Sequence, residues 1–134
     1  MPQHITRSAH ALVEAARAEI QELDPNQVMA LKASGAAVLV DIRDPRELAR
    51  DGRIDGAFHC PRGMLEFWID PASPYHKPVF GQDKQFVFFC TSGWRSALAT
   101  KVAKDMGLSP VAHIAGGLTA WKAAGGPVVK DEAK

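Results

Sequence analysis

The residues best suited to chemistry form one run, Cys90-Thr91-Ser92-Gly93-Trp94-Arg95, which is followed by Ser96. A cysteine acts as a nucleophile when its thiolate is stabilised by neighbouring N–H groups or by positive charge. Here an arginine supplies a permanent charge, a glycine permits a tight turn, and two hydroxyl groups add donors. We therefore predict that Cys90 is the catalytic nucleophile and that residues 91–96 form an anion-binding loop around it.

The run lies between two strong secondary-structure signals. Residues 85–90, Gln-Phe-Val-Phe-Phe-Cys, are typical of a buried strand, and residues 95–106 predict a helix that ends at Gly107. Ligands of open parallel sheets bind beyond the carboxyl ends of the strands, and helix N-termini attract anions. We therefore expect backbone N–H groups around Cys90 to stabilise its thiolate, and equally a persulfide anion formed on it.

The other predicted elements alternate between helix and strand. Helices are predicted at 8–23, 45–50, 64–69 and 118–124, and another begins at Asp24-Pro25 and ends before Gly35. Strands are predicted at 36–40, 56–60 and 111–114, while the proline-rich segment 70–82 is predicted as a loop. This order is typical of an α/β domain in which helices cover both faces of a mainly parallel sheet.

The length and composition fit one globular domain. We predict a single domain over 1–134, made of a helical extension, 1–23, and a core, 24–128. The 16 basic and 15 acidic residues give a net charge of +1, which argues against nucleic acid as the main partner but allows a small anionic substrate. Two cysteines are too few for a disulfide scaffold, and no apolar run is long enough to span a membrane. We therefore predict a cytoplasmic protein with reduced thiols and no membrane partner.

Three side chains near predicted strand ends are accessory candidates, each with two possible roles. Asp41 and Arg43 either border the site or hold the fold through hydrogen bonds or an ion pair with Glu47. Arg62 either helps to bind an anion at the same mouth or is an ordinary surface arginine.

Three further residues also have alternative interpretations. Cys60, at a predicted strand end, either resolves a persulfide or sulfenate on Cys90 or is an inert buried thiol. Trp94 lies in a loop that should be exposed, where it shapes the pocket or contacts a partner protein. The five histidines show no metal-ligand spacing, and the predicted chemistry requires neither a metal nor a cofactor. His59 either neighbours the site or is an ordinary, partly buried histidine.

Four segments in this order resemble motifs of the rhodanese-like family. They are 38–47 (Val-Leu-Val-Asp-Ile-Arg-Asp-Pro-Arg-Glu), 52–57 (Gly-Arg-Ile-Asp-Gly-Ala), the loop 90–95, and 116–121 (Gly-Gly-Leu-Thr-Ala-Trp) with Gly126-Pro127. Each motif alone would be weak, but their order over roughly 25–128 is specific. Arg53 and Asp55 depart from the usual His and Pro of the second motif, and Trp94 stands where polar residues are frequent.

The resemblance implies a single-domain sulfurtransferase of the thiosulfate type. The Cys90 thiolate would attack the outer sulfur of thiosulfate or a similar small anionic donor, and sulfite would leave. A thiophilic acceptor, cyanide or a cellular thiol, would then remove the sulfur from the persulfide on Cys90.

Other classes of function compete with this interpretation. A persulfide relay that serves a sulfur-accepting protein, or a regulatory binding module, would share the fold. A cysteine phosphatase or arsenate reductase also uses a strand, a cysteine loop, an arginine and a helix. Phosphatase signatures place five residues between cysteine and arginine, whereas four separate Cys90 from Arg95 here. The shorter loop predicts a cradle better suited to a sulfur atom than to a phosphate group.

Overall fold

The computed structural model of the protein describes residues 3–130. Residues 1–2 and 131–134, which belong to the predicted domain 1–134, lie outside the described residues. The described strands are β1 (Gln21–Leu23), β2 (Ala37–Asp41), β3 (Phe58–His59), β4 (Gln85–Phe89) and β5 (Val111–Ile114). The described α-helices are α1 (Ala9–Arg17), α2 (Pro25–Ala33), α3 (Pro45–Asp51), α4 (Leu65–Ile69), α5 (Trp94–Met106) and α6 (Gly117–Ala123).

The five described strands form one parallel sheet with the order β1-β5-β4-β2-β3. β4 lies in the middle and pairs with β2 along its whole length, so that Phe89 stands opposite Asp41. The prediction of an α/β domain with a mainly parallel sheet is confirmed. Because parallel strands end at the same edge, the segments that follow β2, β4 and β5 meet there.

The side chains of β4 alternate between two apolar layers. Phe86 and Phe88 pack in the layer that includes α4 and α5, whereas Val87 and Phe89 pack in the layer that includes α2 and α6. Burial on both faces explains why this strand is a continuous apolar run in the sequence. The prediction that helices cover both faces of the sheet is therefore confirmed.

Two of the described helices begin with a capping box. Asp24 caps α2 and Asp44 caps α3; in each, the side chain of the third helical residue returns a hydrogen bond to the cap backbone. In α3 that residue is Glu47, whose Oε2 accepts the Asp44 N–H at 2.9 Å. The cap therefore holds Glu47 in place at the start of α3.

The prediction of one helix over 8–23 is wrong in its second half. α1 ends at Arg17, and Gln21–Leu23 form an edge strand that pairs with β5. The strand is only three residues long, and its pairing joins segments about ninety residues apart, so it leaves no local periodic signal. The predicted extension 1–23 therefore contributes a strand to the sheet.

Smaller boundary differences occur in the remaining elements. Residues 62–64 form a 3-10 helix before α4, and the predicted loop 70–82 contains a second one, Pro78–Gly81, that buries Phe80. Within residues 3–130, no helix combines the length and apolar character needed to cross a bilayer.

α1 packs against α5, the helix that follows the predicted site. Val13 and Ala16 of α1 form a small buried cluster with Ala97 of α5. Ser8 begins α1 by accepting the Ala11 N–H at 3.0 Å. The N-terminal helix therefore rests on the helix that carries the end of the cysteine loop.

Candidate active site

Cys90 immediately follows β4 at the carboxyl edge of the sheet. The side chain has no exposed surface, and Sγ accepts the Gly93 N–H at 3.2 Å. Gly93 has a φ of +104° and stands at the N-cap of α5, so the loop turns sharply before the helix begins. The structure thus places Cys90 and residues 91–96 in the predicted order of strand, tight loop and helix.

The start of α6 holds the cysteine loop from the other side. The Leu118 N–H donates to the Cys90 carbonyl at 2.8 Å, and the Thr119 N–H donates to the Thr91 carbonyl at 3.1 Å. A Cβ atom at Gly117 would lie 2.5 Å from the Cys90 carbonyl oxygen. This close approach is the physical reason for the second glycine of the segment 116–121.

Arg95 is bound to a carboxylate. Its Nη1 and Nη2 donate to the two carboxylate oxygens of Glu47 at 2.8 and 2.9 Å, and Thr91 Oγ1 donates to the same carboxylate at 3.3 Å. The hydrogen bonds from Arg95 are the main cause that lowers the pKa of Glu47 to about 2. The hydrogen bonds from the Asp44 backbone and from Thr91 lower it further, whereas burial raises it. Glu47, and more weakly the Cys90 thiolate, raise the pKa of Arg95. The predicted cation therefore faces Cys90 as one half of an ion pair.

Ser96, the last residue of the predicted loop, connects Cys90 to a histidine. Ser96 Oγ lies 3.6 Å from Cys90 Sγ and 2.9 Å from His113 Nδ1. His113 Nε2 in turn lies 2.7 Å from Glu22 Oε2. His113 and Glu22 were missed as site residues in the sequence. The alternation of side chains along β5 could have indicated His113. Residues 111 and 113 point to the same face of the strand, and Val111 packs in the layer that contains Cys90.

A cavity of about 270 Å³ opens beside the loop, and Arg17, Glu22, His113 and residues 92–94 contribute to its wall. Arg17 Nε and Nη2 donate to the Glu22 carboxylate at 3.0 and 3.1 Å. Trp94 is 49% exposed and its ring lies 5.8 Å from that of His10 on α1. The N-terminal segment therefore forms one side of the site.

Asp41 and Arg43 form an ion pair within the protein interior. Both side chains are buried, with Nη2 to Oδ2 at 2.8 Å, and Arg43 Nη2 also donates to the Gly52 carbonyl at 2.8 Å. The predicted ion pair with Glu47 is not formed, because the Glu47 carboxylate binds Arg95 instead. These contacts join β2 to the end of α3, so Asp41 and Arg43 hold the fold through hydrogen bonds and an ion pair with each other.

Arg62 and Cys60 lie apart from the Cys90 hydrogen-bond network. Arg62 Nη1 donates to Glu66 Oε1 at 2.9 Å, within one turn of α4 and its preceding 3-10 helix. Cys60 is buried, and burial raises the pKa of its thiol to about 12. A thiol in this environment is protonated at neutral pH, which favours the inert role over the resolving one.

A family comparison agrees with this architecture. The family model described as Rhodanese-like domain matches residues 24–124. The chain therefore belongs to the rhodanese-like family. Arg17 and Glu22, which border the cavity, lie before the matched residues.

Known relatives include proteins named as sulfurtransferases. Human thiosulfate:glutathione sulfurtransferase is 35% identical over 102 residues, covering 71% of this chain and 87% of that protein. An uncharacterised Synechocystis protein is 33% identical over 106 residues, covering 79% of this chain but only 54% of the relative. The chain thus spans about half the length of the Synechocystis protein, whereas it spans most of the human one.

A solved structure from Rhodopseudomonas palustris is also similar. It is 60% identical, has a TM-score of 0.92 and is matched over 96% of this chain and 99% of that chain. That protein is described as one of unknown function and a possible tyrosine phosphatase. The fold is therefore common to proteins described as sulfurtransferases and to one described as a possible phosphatase.

Proposed function

We propose that this chain is a sulfurtransferase that carries sulfane sulfur as a persulfide on Cys90. The observation that supports this most directly is the position of Cys90 Sγ, which accepts the Gly93 N–H at the N-terminus of α5. This geometry favours an anionic sulfur at that atom. Membership of a family with relatives named as sulfurtransferases supports the same conclusion.

The proposed reaction has two steps. The Cys90 thiolate attacks the outer sulfur of thiosulfate, a new S–S bond forms, and the old S–S bond breaks with its electron pair leaving on sulfite. An acceptor, cyanide or a thiolate, then attacks the terminal sulfur and regenerates the Cys90 thiolate. Cys90 is fully covered, whereas Ser92 and Trp94 of the same loop are exposed, so the donor would approach from the side of these two residues.

The proposal includes a reducing, cytoplasmic setting and small-molecule partners. Cys60 and Cys90 are both free thiols, which suits such a setting. The near-neutral net charge of +1 favours neither nucleic acid nor an anionic membrane surface as a partner. A sulfur-accepting protein is the alternative acceptor, and Trp94, half exposed on the loop, would lie on the contact surface.

A tyrosine phosphatase is the second candidate because of the description given to the Rhodopseudomonas palustris protein. Phosphoryl transfer requires donors that surround the transferred oxygens. Here four residues separate Cys90 from Arg95, and the Arg95 guanidinium is bound on both terminal nitrogens by Glu47. Both observations favour sulfur transfer.

Initial-rate kinetics test the proposal against this rival. With thiosulfate and cyanide varied together, a persulfide intermediate predicts parallel double-reciprocal lines, and Cys90→Ser should be inactive. Hydrolysis of p-nitrophenyl phosphate should be absent in the same preparation. Phosphatase activity that requires Cys90, without sulfur transfer, would favour the rival. Sulfur transfer to a protein thiol but not to small thiols would favour the relay.

A further inference from the structure

The hydrogen bonds from Cys90 to Glu22 have a defined direction. The pKa of Glu22 is lowered, chiefly by its hydrogen bond to Arg17, so its carboxylate only accepts. His113 Nε2, 2.7 Å away, must therefore carry a proton. Burial lowers the pKa of His113, so the neutral ring leaves Nδ1 as an acceptor. Ser96 then donates to Nδ1, and its oxygen accepts the Cys90 S–H.

This direction matters because the Cys90 thiol has no contact with solvent. Cys90 and Ser96 have no exposed surface, and His113 is only 1% exposed. Glu22, by contrast, has 28% of its side chain exposed and lies on the wall of the 270 Å³ cavity. The chain of hydrogen bonds therefore leads from a covered thiol to a group at the edge of solvent.

We propose that Ser96 and His113 form a proton relay that removes the Cys90 thiol proton, with Glu22 as the group that orients His113. The inference deepens the proposed function and rests on it, because it concerns how the nucleophile of that reaction is generated. Ser96 acts at the reacting sulfur, whereas His113 and Glu22 are positioning residues that act through it.

The proton balance of the step is simple. The Cys90 S–H proton moves to Ser96 Oγ as the Ser96 hydroxyl proton moves to His113 Nδ1. The products are a Cys90 thiolate, a neutral Ser96 and a His113 imidazolium whose Nε2–H still donates to Glu22. No oxidant or reductant is needed, and the imidazolium later returns its proton or loses it to the cavity.

The charged groups around His113 set its pH response. Glu22 on β1 stabilises the imidazolium, and Arg17 at the end of α1 opposes it. Desolvation also disfavours the charged ring, so in the resting state Nδ1 is free to accept the Ser96 hydrogen bond, and the imidazolium formed in the proposed step depends on Glu22 for its stabilisation. The pH response of His113 thus depends on two residues, Arg17 and Glu22, that precede the segment matched by the family model.

A structural role for the same contacts is the competing explanation. Ser96 and His113 would then hold α5 against β5 and stabilise the fold without affecting the ionisation of Cys90. Stability measurements alone do not separate the two, because both roles predict a less stable variant. The ionisation of Cys90 as a function of pH does separate them.

The test is a titration in which the ultraviolet absorbance of the Cys90 thiolate is followed as a function of pH. The spectrum of Cys90→Ser is subtracted at each pH to remove the contribution of Cys60. His113→Gln removes the proton acceptor, and Ser96→Ala removes the connection while changing little volume. His59→Gln is the matched control, because His59 also lies on a strand of this sheet but binds the Arg43 carbonyl at 2.7 Å. Thermal unfolding confirms that each variant is folded.

We expect the thiolate midpoint to rise by on the order of one pH unit in His113→Gln and Ser96→Ala, and to stay unchanged in His59→Gln. Glu22→Gln should give a smaller rise, and it serves as the deciding variant if the two buried substitutions prevent folding. Folded relay variants with the wild-type midpoint would overturn the relay.

Persulfide formation with thiosulfate, measured on the same wild-type sample, separates this inference from the proposed function. A wild-type protein that takes up no sulfur while its thiolate midpoint shifts in the variants would refute the sulfurtransferase but keep the relay. Sulfur uptake with an unshifted midpoint would refute the relay alone.

Discussion

Arg95 and Glu47 form a two-pronged ion pair that joins the start of α5 to the start of α3. The two N–O distances are 2.8 and 2.9 Å, and the two residues are 48 positions apart in the sequence. Glu47 also completes the capping box of α3, so the Asp44 N–H holds the same carboxylate that binds Arg95. The positive charge beside Cys90 is thus held in one place, but it is balanced by a negative one.

The pair predicts an acid-sensitive contribution to stability. The pKa of Glu47 is lowered from 4.5 to about 2 in the folded protein. Its contribution is therefore complete above about pH 4.5 and is lost as the pH falls towards 2. Arg95 has 44% of its side chain exposed, so solvent screening limits the pair to on the order of 1 kcal/mol.

Glu47→Gln should remove this dependence. Urea unfolding at neutral pH and at pH near 3 measures the free energy of unfolding of both proteins. Between these conditions the wild-type protein should lose more stability than the variant, since at pH near 3 Glu47 takes up a proton in the unfolded wild-type chain but remains largely ionised in the folded one. Equal losses in the two proteins would show that the ion pair contributes nothing.

Removal of the Arg95 charge should slow the reaction with thiosulfate, the sulfur donor. Arg95→Gln leaves the Glu47 carboxylate unbalanced near Cys90, where it repels an anionic donor, so kcat/KM for thiosulfate should fall about tenfold or more. Arg50→Gln is the control. It removes an arginine that is exposed on α3 and paired with its neighbour Asp51, so kcat/KM for thiosulfate should change little.

The double variant Arg95→Gln/Glu47→Gln gives a sharper check. It should recover part of the lost kcat/KM, because the unbalanced carboxylate is gone. A double variant no better than Arg95→Gln would mean that repulsion by Glu47 is not the cause of the loss.

Gly117 is predicted to be essential for the packing of the cysteine loop. A Cβ there would lie 2.5 and 2.6 Å from the carbonyl oxygens of Cys90 and Thr91, and the φ of +62° is strained for other residues. Gly117→Ala should therefore lower the free energy of unfolding by about 3 kcal/mol or more and reduce sulfur transfer in the folded fraction.

Gly35 offers a control for the backbone strain. Its φ of +74° is similar, but nothing lies within 4 Å of a Cβ there. Gly35→Ala should cost about 1 kcal/mol and leave activity intact. If chemical denaturation shows equal losses for the two variants, the close approach to the cysteine loop has no energetic consequence.

Cys60 is predicted to take no part in sulfur transfer. Because burial raises its pKa to about 12, it should not react with a neutral alkylating reagent in the native protein at neutral pH. In Cys90→Ser, mass spectrometry should find no native alkylation and one alkylated thiol after denaturation. Cys60→Ala should retain persulfide transfer; loss of turnover in this variant, or a disulfide with Cys90, would establish a resolving role.

The sequence was most informative where signals are local. The strand before Cys90, the glycine in its loop and the helix after it are adjacent in the chain, so their order could be predicted directly. Asp24 likewise stands directly before the helix that it caps, so the start of α2 could be predicted.

The contacts that surround the sulfur were harder to predict because they come from distant segments. His113 binds Glu22 across 91 positions, and the two meet only because β1 is placed beside β5 in the sheet. A three-residue edge strand carries no periodic signal, so neither the strand nor the position of Glu22 could be read locally. The pairing of Arg95 with Glu47 depends in the same way on the meeting of α3 and α5.

Intact mass after mixing the reduced protein with thiosulfate shows directly whether Cys90 takes up sulfur. We predict that the wild-type protein gains the mass of one sulfur atom, that cyanide removes it, and that Cys90→Ser gains nothing. Sulfur uptake by Cys90→Ser would contradict the assignment of the nucleophile. A wild-type protein that gains no sulfur from thiosulfate would contradict the proposed donor reaction.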